Sequence, residues 1–193
     1  MFENSGTGNF ILGPDLYDAE VEYLESTGTQ YINTGINISN NIKFGLDILS
    51  QTETLGNFFG ARQTTSSGML TLFTKNESGA TDNGIRYQYG TKTAYIANHK
   101  LIDLNTRVNF NNVNDTKTFI YNNYTTLYSA AAVANTFSVA LPIYLFAMNN
   151  NGTPSCSSYR CYCLKLWSGS ILVRDLVPVR KGNVGYMFDK VSR

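Results

Sequence analysis

The sequence predicts an all-β protein, an antiparallel sandwich of two sheets built from about 12 to 15 short strands with little helix. Composition is the first reason, because the 193 residues include 22 Asn, 20 Thr and 16 Gly together with 13 Tyr and 11 Phe. Thr, Tyr and Phe favour half-buried pleated surfaces, whereas Asn and Gly favour turns. The second reason is that hydrophobicity alternates with a period of two, and a chain of this length fits one domain.

The first half of the chain has its clearest strand at residues 42–48. Ile42, Phe44, Leu46 and Ile48 alternate with other residues, so these four side chains are expected to face one way. Shorter apolar runs, separated by turn residues, indicate further strands. These runs lie at 21–23, 29–31, 57–61, 69–73, 85–89 and 93–96.

The second half predicts a hairpin and a buried strand. Residues 116–121 and 124–128 alternate and are joined by an Asn-Asn pair, which tolerates the positive φ of a tight hairpin turn. Residues 143–148 are nearly all apolar, which is typical of a single central strand buried on both faces.

The closing segment predicts two long strands joined by the turn at residues 168–170. The first strand ends at Trp167, and the second covers residues 171–177 before Pro178 restricts pairing to an edge or a strand end. Arg174 and Asp175 are interpreted as a structural ion pair or strand-end contact rather than a binding site.

The three cysteines, Cys156, Cys161 and Cys163, indicate free thiols. Cys161 and Cys163 are two residues apart, so in a regular strand they would share a face, and such neighbours rarely form a relaxed disulfide. A zinc site would need paired cysteine spacings together with histidine, and the chain has one histidine. We therefore expect no metal site in this segment.

Charge and hydropathy exclude other classes of protein. Charged residues make up 15% of the chain and the net charge is +1, so the sequence lacks the basic face that nucleic-acid binding needs. No apolar run approaches the roughly 18 residues of a membrane-spanning helix, and no signal peptide is visible. We expect no membrane insertion.

Several phrases of the sequence resemble one family. Residues 22–36 read EYLESTGTQYINTGI, and the C-terminal phrases are CYCLKLW at 161–167, LVRDLVPVR at 172–180 and GYMFDKVS at 185–192. They resemble the laminin-G-like, concanavalin A-like jelly-roll domains of gut bacterial and prophage proteins. The resemblance covers residues 20–193 and implies a jelly-roll sandwich. It does not imply one function, because this fold hosts lectins, glycanases, adhesins and virion components.

Residues 1–19 are interpreted as an N-terminal arm. Relatives in this family continue past the closing phrase with one more strand, and a similar phrase stands here at the start of the chain, FENSGTGNFILGPD at 2–15. Three arrangements stay open: the arm completes its own sheet as a permutation, completes the sheet of a neighbouring copy, or docks elsewhere. Its candidate assembly residues are Phe2, Phe10, Ile11 and Leu12.

The sequence predicts that the protein is not an enzyme. Glycanases on this fold place carboxylates at alternate positions of one strand, whereas Asp47 stands alone in its strand. Candidates for ligand binding are the polar loop Asn149, Asn150 and Asn151 and the sole tryptophan, Trp167, with a turn and ordinary packing as the simpler explanations. We expect no cofactor. Asn- and Asp-containing turns at 82–83 and 114–115 offer calcium at most a weak site.

We therefore expect a non-enzymatic structural or assembly protein of a phage particle or surface fibre, of the capsid-decoration, head or tail-fibre type. Its partners would be further copies or other virion proteins, and its location the virion or the extracellular surface. A lectin-like adhesion module that binds surface glycans is the alternative, and a glycanase is a third. The arm favours the first, because an isolated lectin needs no detached strand phrase.

Overall fold

The computed structural model describes residues 17–51, 56–65, 67–76, 83–95, 104–112, 118–121, 124–129 and 136–192. Within these ranges the chain has 17 strands and no helix, and the strands form two packed sheets. The prediction of an all-β sandwich is confirmed. No helix in the described ranges is long and apolar enough to cross a membrane.

Sheet A has nine strands. They are β1 (Ala19–Glu20), β2 (Leu24–Thr27), β4 (Ile42–Leu49), β9 (Arg107–Asn111), β10 (Thr118–Tyr121), β11 (Tyr124–Ser129), β15 (Ser158–Ser168), β16 (Ile171–Lys181) and β17 (Val184–Asp189). Their order is β1-β16-β15-β4-β9-β10-β11, with β17 paired to β16 and β2 paired to β15. The predicted hairpin appears as the antiparallel pair β10–β11.

Sheet B has eight strands. They are β3 (Ile32–Ser39), β5 (Asn57–Arg62), β6 (Met69–Asn76), β7 (Asn83–Gly90), β8 (Lys92–Tyr95), β12 (Ser138–Leu145), β13 (Ala147–Asn150) and β14 (Thr153–Cys156). Their order is β14-β13-β5-β6-β7-β8, and β12 pairs with both β3 and β5. One pair, β13 with β5, is parallel, so the sandwich is mixed rather than purely antiparallel.

The core lies between the sheets and follows the alternation in the sequence. In β4 every second residue, Ile42 to Ile48, is buried, as predicted. Aromatic side chains meet across the interface: the ring centroids of Phe44 in sheet A and Phe59 in sheet B are 4.8 Å apart. Because the even positions of β4 point into the core, its odd positions lie on the outer face of sheet A.

The predicted central strand at 143–148 is two strands. Its residues are buried, as expected, but the chain reverses at Phe146, because β12 is antiparallel to β5 whereas β13 is parallel to it. Phe146 adopts a φ of 66°, which is an unfavourable backbone conformation for a bulky residue unless its surroundings hold it in place. Its N–H donates to the Phe58 carbonyl at 3.1 Å and its carbonyl accepts from Ser157 N–H at 2.8 Å, so both of its backbone groups are held.

The expectation that Cys161 and Cys163 share a face is wrong. A β-bulge in β15 lies between them, so that Cys161 pairs with Ile48 and Cys163 with the next residue of β4, Asp47. Cys161 is buried in the core, whereas Cys163 lies with Asp47 on the outer face and is partly exposed. A bulge inserts one residue and reverses the alternation beyond it.

The predicted pair of Arg174 and Asp175 instead forms two separate ion pairs. Arg174 Nη1 lies 3.6 Å from the fully buried carboxylate of Asp189, and Asp175 accepts from Lys165 at 3.2 Å. Asp189 also accepts from the backbone N–H groups of Asp175 and Val191. This carboxylate therefore fastens the end of β17 to β16.

Strand β16 continues through Pro178 to Lys181. Its ladder with β15 ends at Leu176 and its ladder with β1 begins at Val179, so Pro178 sits where that edge of the strand needs no N–H. Strands β1 and β17 pair with the same residues of β16, Val179 and Arg180, and so flank it on its two edges. Residues 1–16, with Phe2, Phe10, Ile11 and Leu12, lie outside the described residues.

The phrase at 22–36 contains a turn that satisfies its own polar groups. The side-chain oxygen Oε1 of Gln30 accepts from Thr27 N–H at 2.9 Å and from the Thr27 hydroxyl at 3.0 Å. The buried Ser26 Oγ accepts from Gly28 N–H at 3.1 Å, and Gly28 has a φ of 97°. The residues of this segment therefore specify a turn between β2 and β3 rather than a binding site.

Candidate functional site

The outer face of sheet A carries the richest group of polar and aromatic side chains among the described residues. Strands β2, β4 and β9 contribute the side chain of every second residue, and β16 contributes Asp175. Strand β15 contributes alternate side chains except at its bulge, where the consecutive residues Tyr162 and Cys163 both lie on this face. Trp167 lies near one end of this face. It pairs with Lys43 of the neighbouring strand β4 and is two residues after Lys165 on its own strand. The predicted ligand-binding tryptophan is thus on the surface of a sheet and not in the core.

Gly45 determines how Trp167 lies. A Cβ on Gly45 would come within 3.7 Å of Cη2 and Cζ3 of the indole, so the six-membered ring rests over this glycine. A side chain at position 45 would occupy the space beneath the ring. Trp167 is partly exposed, so the indole presents aromatic surface to solvent. We call Trp167, Gly45 and the flanking Lys43 and Lys165 the Trp167 platform.

A ladder of polar side chains runs beside the platform on β9. Asn111, which pairs with Gly45, donates from Nδ2 to Asn109 Oδ1 at 2.7 Å, and Asn109 donates to Asp47 at 2.5 Å. Asp47 also accepts from Arg107 at 2.6 Å. The ladder ends at Asn111 Oδ1, which is shielded from solvent and has no hydrogen-bond donor among the described residues. An acceptor of this kind is costly unless a water or a ligand donates to it.

Stacked cations and rings continue the face toward β2. The Arg107 guanidinium lies 4.3 Å from the centroid of the Tyr162 ring, and Arg160 lies 4.4 Å from that of Tyr23. Tyr23 and Tyr162 are 5.9 Å apart. Burial acts to lower the pKa of Arg107, but its hydrogen bond and charge interaction with Asp47 outweigh burial and raise it. This part of the face is internally paired and rigid.

Cys163 does not supply a nucleophile to this face. Burial, and then the charge of Asp47, raise the pKa of its thiol to about 11. A thiol with this pKa is protonated at neutral pH, and only the thiolate attacks electrophiles. The three cysteines are free, and Cys163 is the one on this surface.

The loop predicted to bind a ligand is a structural hairpin in sheet B. Asn149 is buried, donates to the Pro142 carbonyl at 2.9 Å and accepts from Gly152 N–H at 2.7 Å, so its amide ties β13 to β12 and to the turn. Asn150 accepts from Arg62 at 2.9 Å. Asn151 and Gly152 have φ values of 50° and 94°, as a tight hairpin turn requires. The structure does not bring these residues to Trp167, which lies in sheet A.

No group of three or more His, Cys, Asp or Glu residues that could hold a metal ion occurs in the described part of the chain. Of the weak calcium candidates, residues 82, 114 and 115 lie outside the described residues, and Asn83 begins β7. The calcium interpretation therefore stays a prediction.

A concave region lies near the C-terminal end of β16, away from Trp167. It is an open cleft of about 510 Å³ between β2 and the β16–β17 turn, and Tyr23, Leu24, Arg180 and Asn183 contribute to its walls. Its lining includes the charged residues Glu25 and Arg180, and the Tyr23 ring in its wall is the one that stacks with Arg160. It borders β1, the first described strand of the chain.

Sequence reasoning found Trp167 but missed Gly45, Lys43 and Asn111. The signal was partly present, because Lys165 and Trp167 alternate with the buried Leu164 and Leu166. The register that places Gly45 between Lys165 and Asn111 depends on strands far apart in the chain, so no local pattern reveals it.

The phrases that carry the family resemblance have structural roles here. Residues 22–36 contain the turn held by Gln30, and the closing phrase holds the buried Asp189. Both roles concern the fold and identify no ligand. No protein-family model matches the chain, and no curated protein is significantly similar to it.

Proposed function

We propose that this protein is a non-enzymatic module that binds carbohydrate on the outer face of sheet A. The observation that carries the proposal is the Trp167 indole resting over Gly45 in the open surface of a sheet. An aromatic ring in this position offers a flat apolar surface on which the C–H face of a sugar ring stacks. The nearby polar ladder supplies fixed hydrogen-bonding groups that orient such a ligand.

The chemistry of the ladder suits hydroxyl groups. Asn109 and Asn111 are held in place by Asp47 and by each other, so they need not be ordered when a ligand binds. Asn111 Oδ1 is an acceptor with no donor among the described residues, on the residue that pairs with the glycine beneath the indole. This oxygen is shielded from solvent, so a sugar hydroxyl or a bridging water reaches it only if the Asn111 amide moves.

The proposal excludes catalysis because the carboxylates of this face are engaged with cations. Asp47 is 2.6 Å from Arg107, Asp175 is 3.2 Å from Lys165 and Glu25 is 2.9 Å from Arg160. Glycoside hydrolysis needs one carboxyl group as an acid and a second as a base or nucleophile. Three separate ion pairs favour a rigid binding surface over that arrangement.

A glycan array followed by calorimetry on the bound sugars tests the proposal. We expect saturable binding by the wild type and at least tenfold weaker binding by Trp167→Ala, taking as a guide the stacking of a nucleobase on an aromatic side chain, which contributes on the order of 1–3 kcal/mol. The matched control is Ile171→Ala, which removes a side chain that is 68% exposed at the start of β16. Wild-type binding by Trp167→Ala, or no binding to any glycan, would overturn the proposal.

Assembly into a phage particle or surface fibre is the second candidate function. It is favoured by the position of the last residues of the arm: Asp18 N–H donates to the Arg180 carbonyl at 2.8 Å, and the Tyr17 ring lies 5.0 Å from that of Phe188 in β17. The chain thus enters the fold beside its last strand, which is where a permuted or donated strand would connect. Carbohydrate binding and assembly are compatible in one displayed subunit.

Light scattering on the full chain and on a variant without residues 1–15 tests assembly. If the arm of one copy completes another, the full chain forms oligomers whose mass falls to that of a monomer after truncation. If the arm completes its own sheet, truncation lowers the stability of a protein that is monomeric in both forms. A stable, unchanged monomer after truncation would contradict both arrangements.

A further inference from the structure

The cationic side chains on the outer face of sheet A differ in whether they are paired with a carboxylate. Arg107, Arg160 and Lys165 each lie within 3.2 Å of a carboxylate oxygen. Lys43 lies on the same face, directly opposite Trp167 in the register of β4 and β15, and forms no ion pair in the described structure. Directly opposed side chains in a sheet are about 5 Å apart at Cβ, so the ammonium group is within reach of whatever lies on the indole.

These ion pairs determine the net charge around the Trp167 platform. The charge of Lys165 is neutralised by Asp175, and Asp47, the carboxylate of β4, already binds Arg107 and Asn109. Asn111, which faces Gly45 from β9, carries no charge. Among the described residues, the end of the face that holds the exposed indole therefore has one uncompensated positive charge, on Lys43.

We propose that the Trp167 platform selects a saccharide with a carboxylate group, a uronic acid or a sialic acid, whose ring stacks on the indole and whose carboxylate binds Lys43. This inference rests on the proposed carbohydrate binding and adds the class of sugar. The lysine ammonium is on a flexible aliphatic chain, so it can bind the carboxylate of a uronic acid or that of a sialic acid. The two classes of sugar are therefore recognised by the same interaction. A neutral sugar would stack on the same ring without using the charge.

Matched pairs of probes test the selection by calorimetry at low salt. The pairs are 6′-sialyllactose with lactose, and trigalacturonate with its methyl ester. We expect the acidic member of one pair to bind about two- to fivefold tighter than its neutral partner, as suits a partly exposed ion pair. The preference is expected to disappear in 0.5 M NaCl, because salt screens this attraction.

Variants at position 43 assign the preference to its source. Lys43→Gln is expected to abolish the preference for the acidic probe, and Lys43→Arg to retain it. Lys181→Gln, which removes an exposed lysine at the far end of β16, is the control and is expected to bind as the wild type.

The outcomes separate this inference from the proposed function. Equal, Trp167-dependent binding of acidic and neutral probes would overturn the acidic selection and leave carbohydrate binding standing, and so would a preference that survives Lys43→Gln. Binding that is unaffected by Trp167→Ala, or absent for every probe, would overturn both.

Discussion

The phenolic hydroxyl of Tyr159 in sheet A donates to the carbonyl oxygen of Phe58 in sheet B at 2.5 Å. The Tyr159 hydroxyl oxygen in turn accepts from Phe146 N–H at 2.8 Å. Tyr159 is fully buried, and its ring packs 4.7 Å from that of Phe146 at the point where the chain reverses. One side chain of β15, the strand that also carries Trp167, thus anchors both sheets and the strained residue between β12 and β13.

Tyr159→Phe should destabilise the protein by about 1–3 kcal/mol, because it removes a buried partner from two backbone groups while keeping the ring. Phe146 N–H also lies 3.1 Å from the Phe58 carbonyl, so these two groups can still bond to each other in the variant. The loss of stability should therefore be smaller than if both groups had no partner. Urea unfolding measures the change. Tyr162→Phe, on the outer face of the same strand, is the control, and an equal loss in both variants would contradict this role.

Gly60→Ala should prevent folding or destabilise the protein by more than about 3 kcal/mol. The φ of Gly60 is 122°, and a Cβ there would lie within 2.6 Å of Thr71 Cα in the neighbouring strand β6. Gly152→Ala is the control, because Gly152 also has a positive φ but open space around it, so its cost is backbone strain of about 1 kcal/mol. Soluble yield and thermal unfolding compare them, and equal effects would exclude a steric cause.

Asp189→Asn should cost about 3 kcal/mol, because it leaves Arg174 without its buried counter-charge and replaces an acceptor of two backbone N–H groups. Hydrogen exchange should show β17 opening before the rest of sheet A. The control is Glu20→Gln, which removes an exposed ion pair with Lys190 and should cost less than about 1 kcal/mol. Uniform exchange across sheet A would contradict a local role for Asp189.

Patterns that repeat locally were predictable from the sequence. The alternation of β4, the β10–β11 hairpin and the end of β15 near Trp167 each follow from side-chain period and turn residues. The reversal at Phe146 was not predictable, since nothing in a run of apolar residues marks a change of direction. The bulge between Cys161 and Cys163 was hidden for the same reason, because it depends on how β15 registers against β4.

The site followed the same division. Trp167 was a candidate from its residue type, whereas its environment required the register of three strands. For the asparagine loop, the structure adds partners that the sequence does not show: Asn149 donates to a carbonyl seven residues before it and accepts from an N–H three residues after it. Ligand binding by this loop stays a prediction. Composition indicates which residues can bind a sugar, and only tertiary pairing decides which of them remain available.

Stability should fall as the pH rises above about 9, because the pKa of Cys163 is raised by burial from its ordinary value of 9.0 to about 11 in the folded protein. Between these values the unfolded chain loses the proton while the folded chain keeps it, so alkali favours unfolding. Urea unfolding at pH 8 to 10.5 measures this slope. Cys163→Ser should make the slope shallower, and an unchanged slope would show that other groups cause it.

The thiol should also react slowly in the native protein. At pH 8 a pKa of about 11 lowers the thiolate fraction about 100-fold relative to an ordinary thiol. Iodoacetamide labelling followed by peptide mass spectrometry compares Cys163 in native protein with Cys163 in urea. Equal rates would mean that Cys163 is not shielded on the outer face of sheet A.

Gly45→Val should abolish carbohydrate binding while the fold is retained. A Cβ at position 45 would touch the indole at 3.7 Å, so alanine fits, whereas the two methyl groups of valine would lift the ring from the sheet and remove the flat surface. Stability should change little, because valine is favoured in an outward-facing strand position. Calorimetry with the sugar selected on the array, together with thermal unfolding, measures both quantities. Gly45→Ala is the control and should bind within about twofold of the wild type. If Gly45→Val binds as tightly as Gly45→Ala, the orientation of Trp167 over position 45 does not govern recognition and the ligand lies elsewhere on the face.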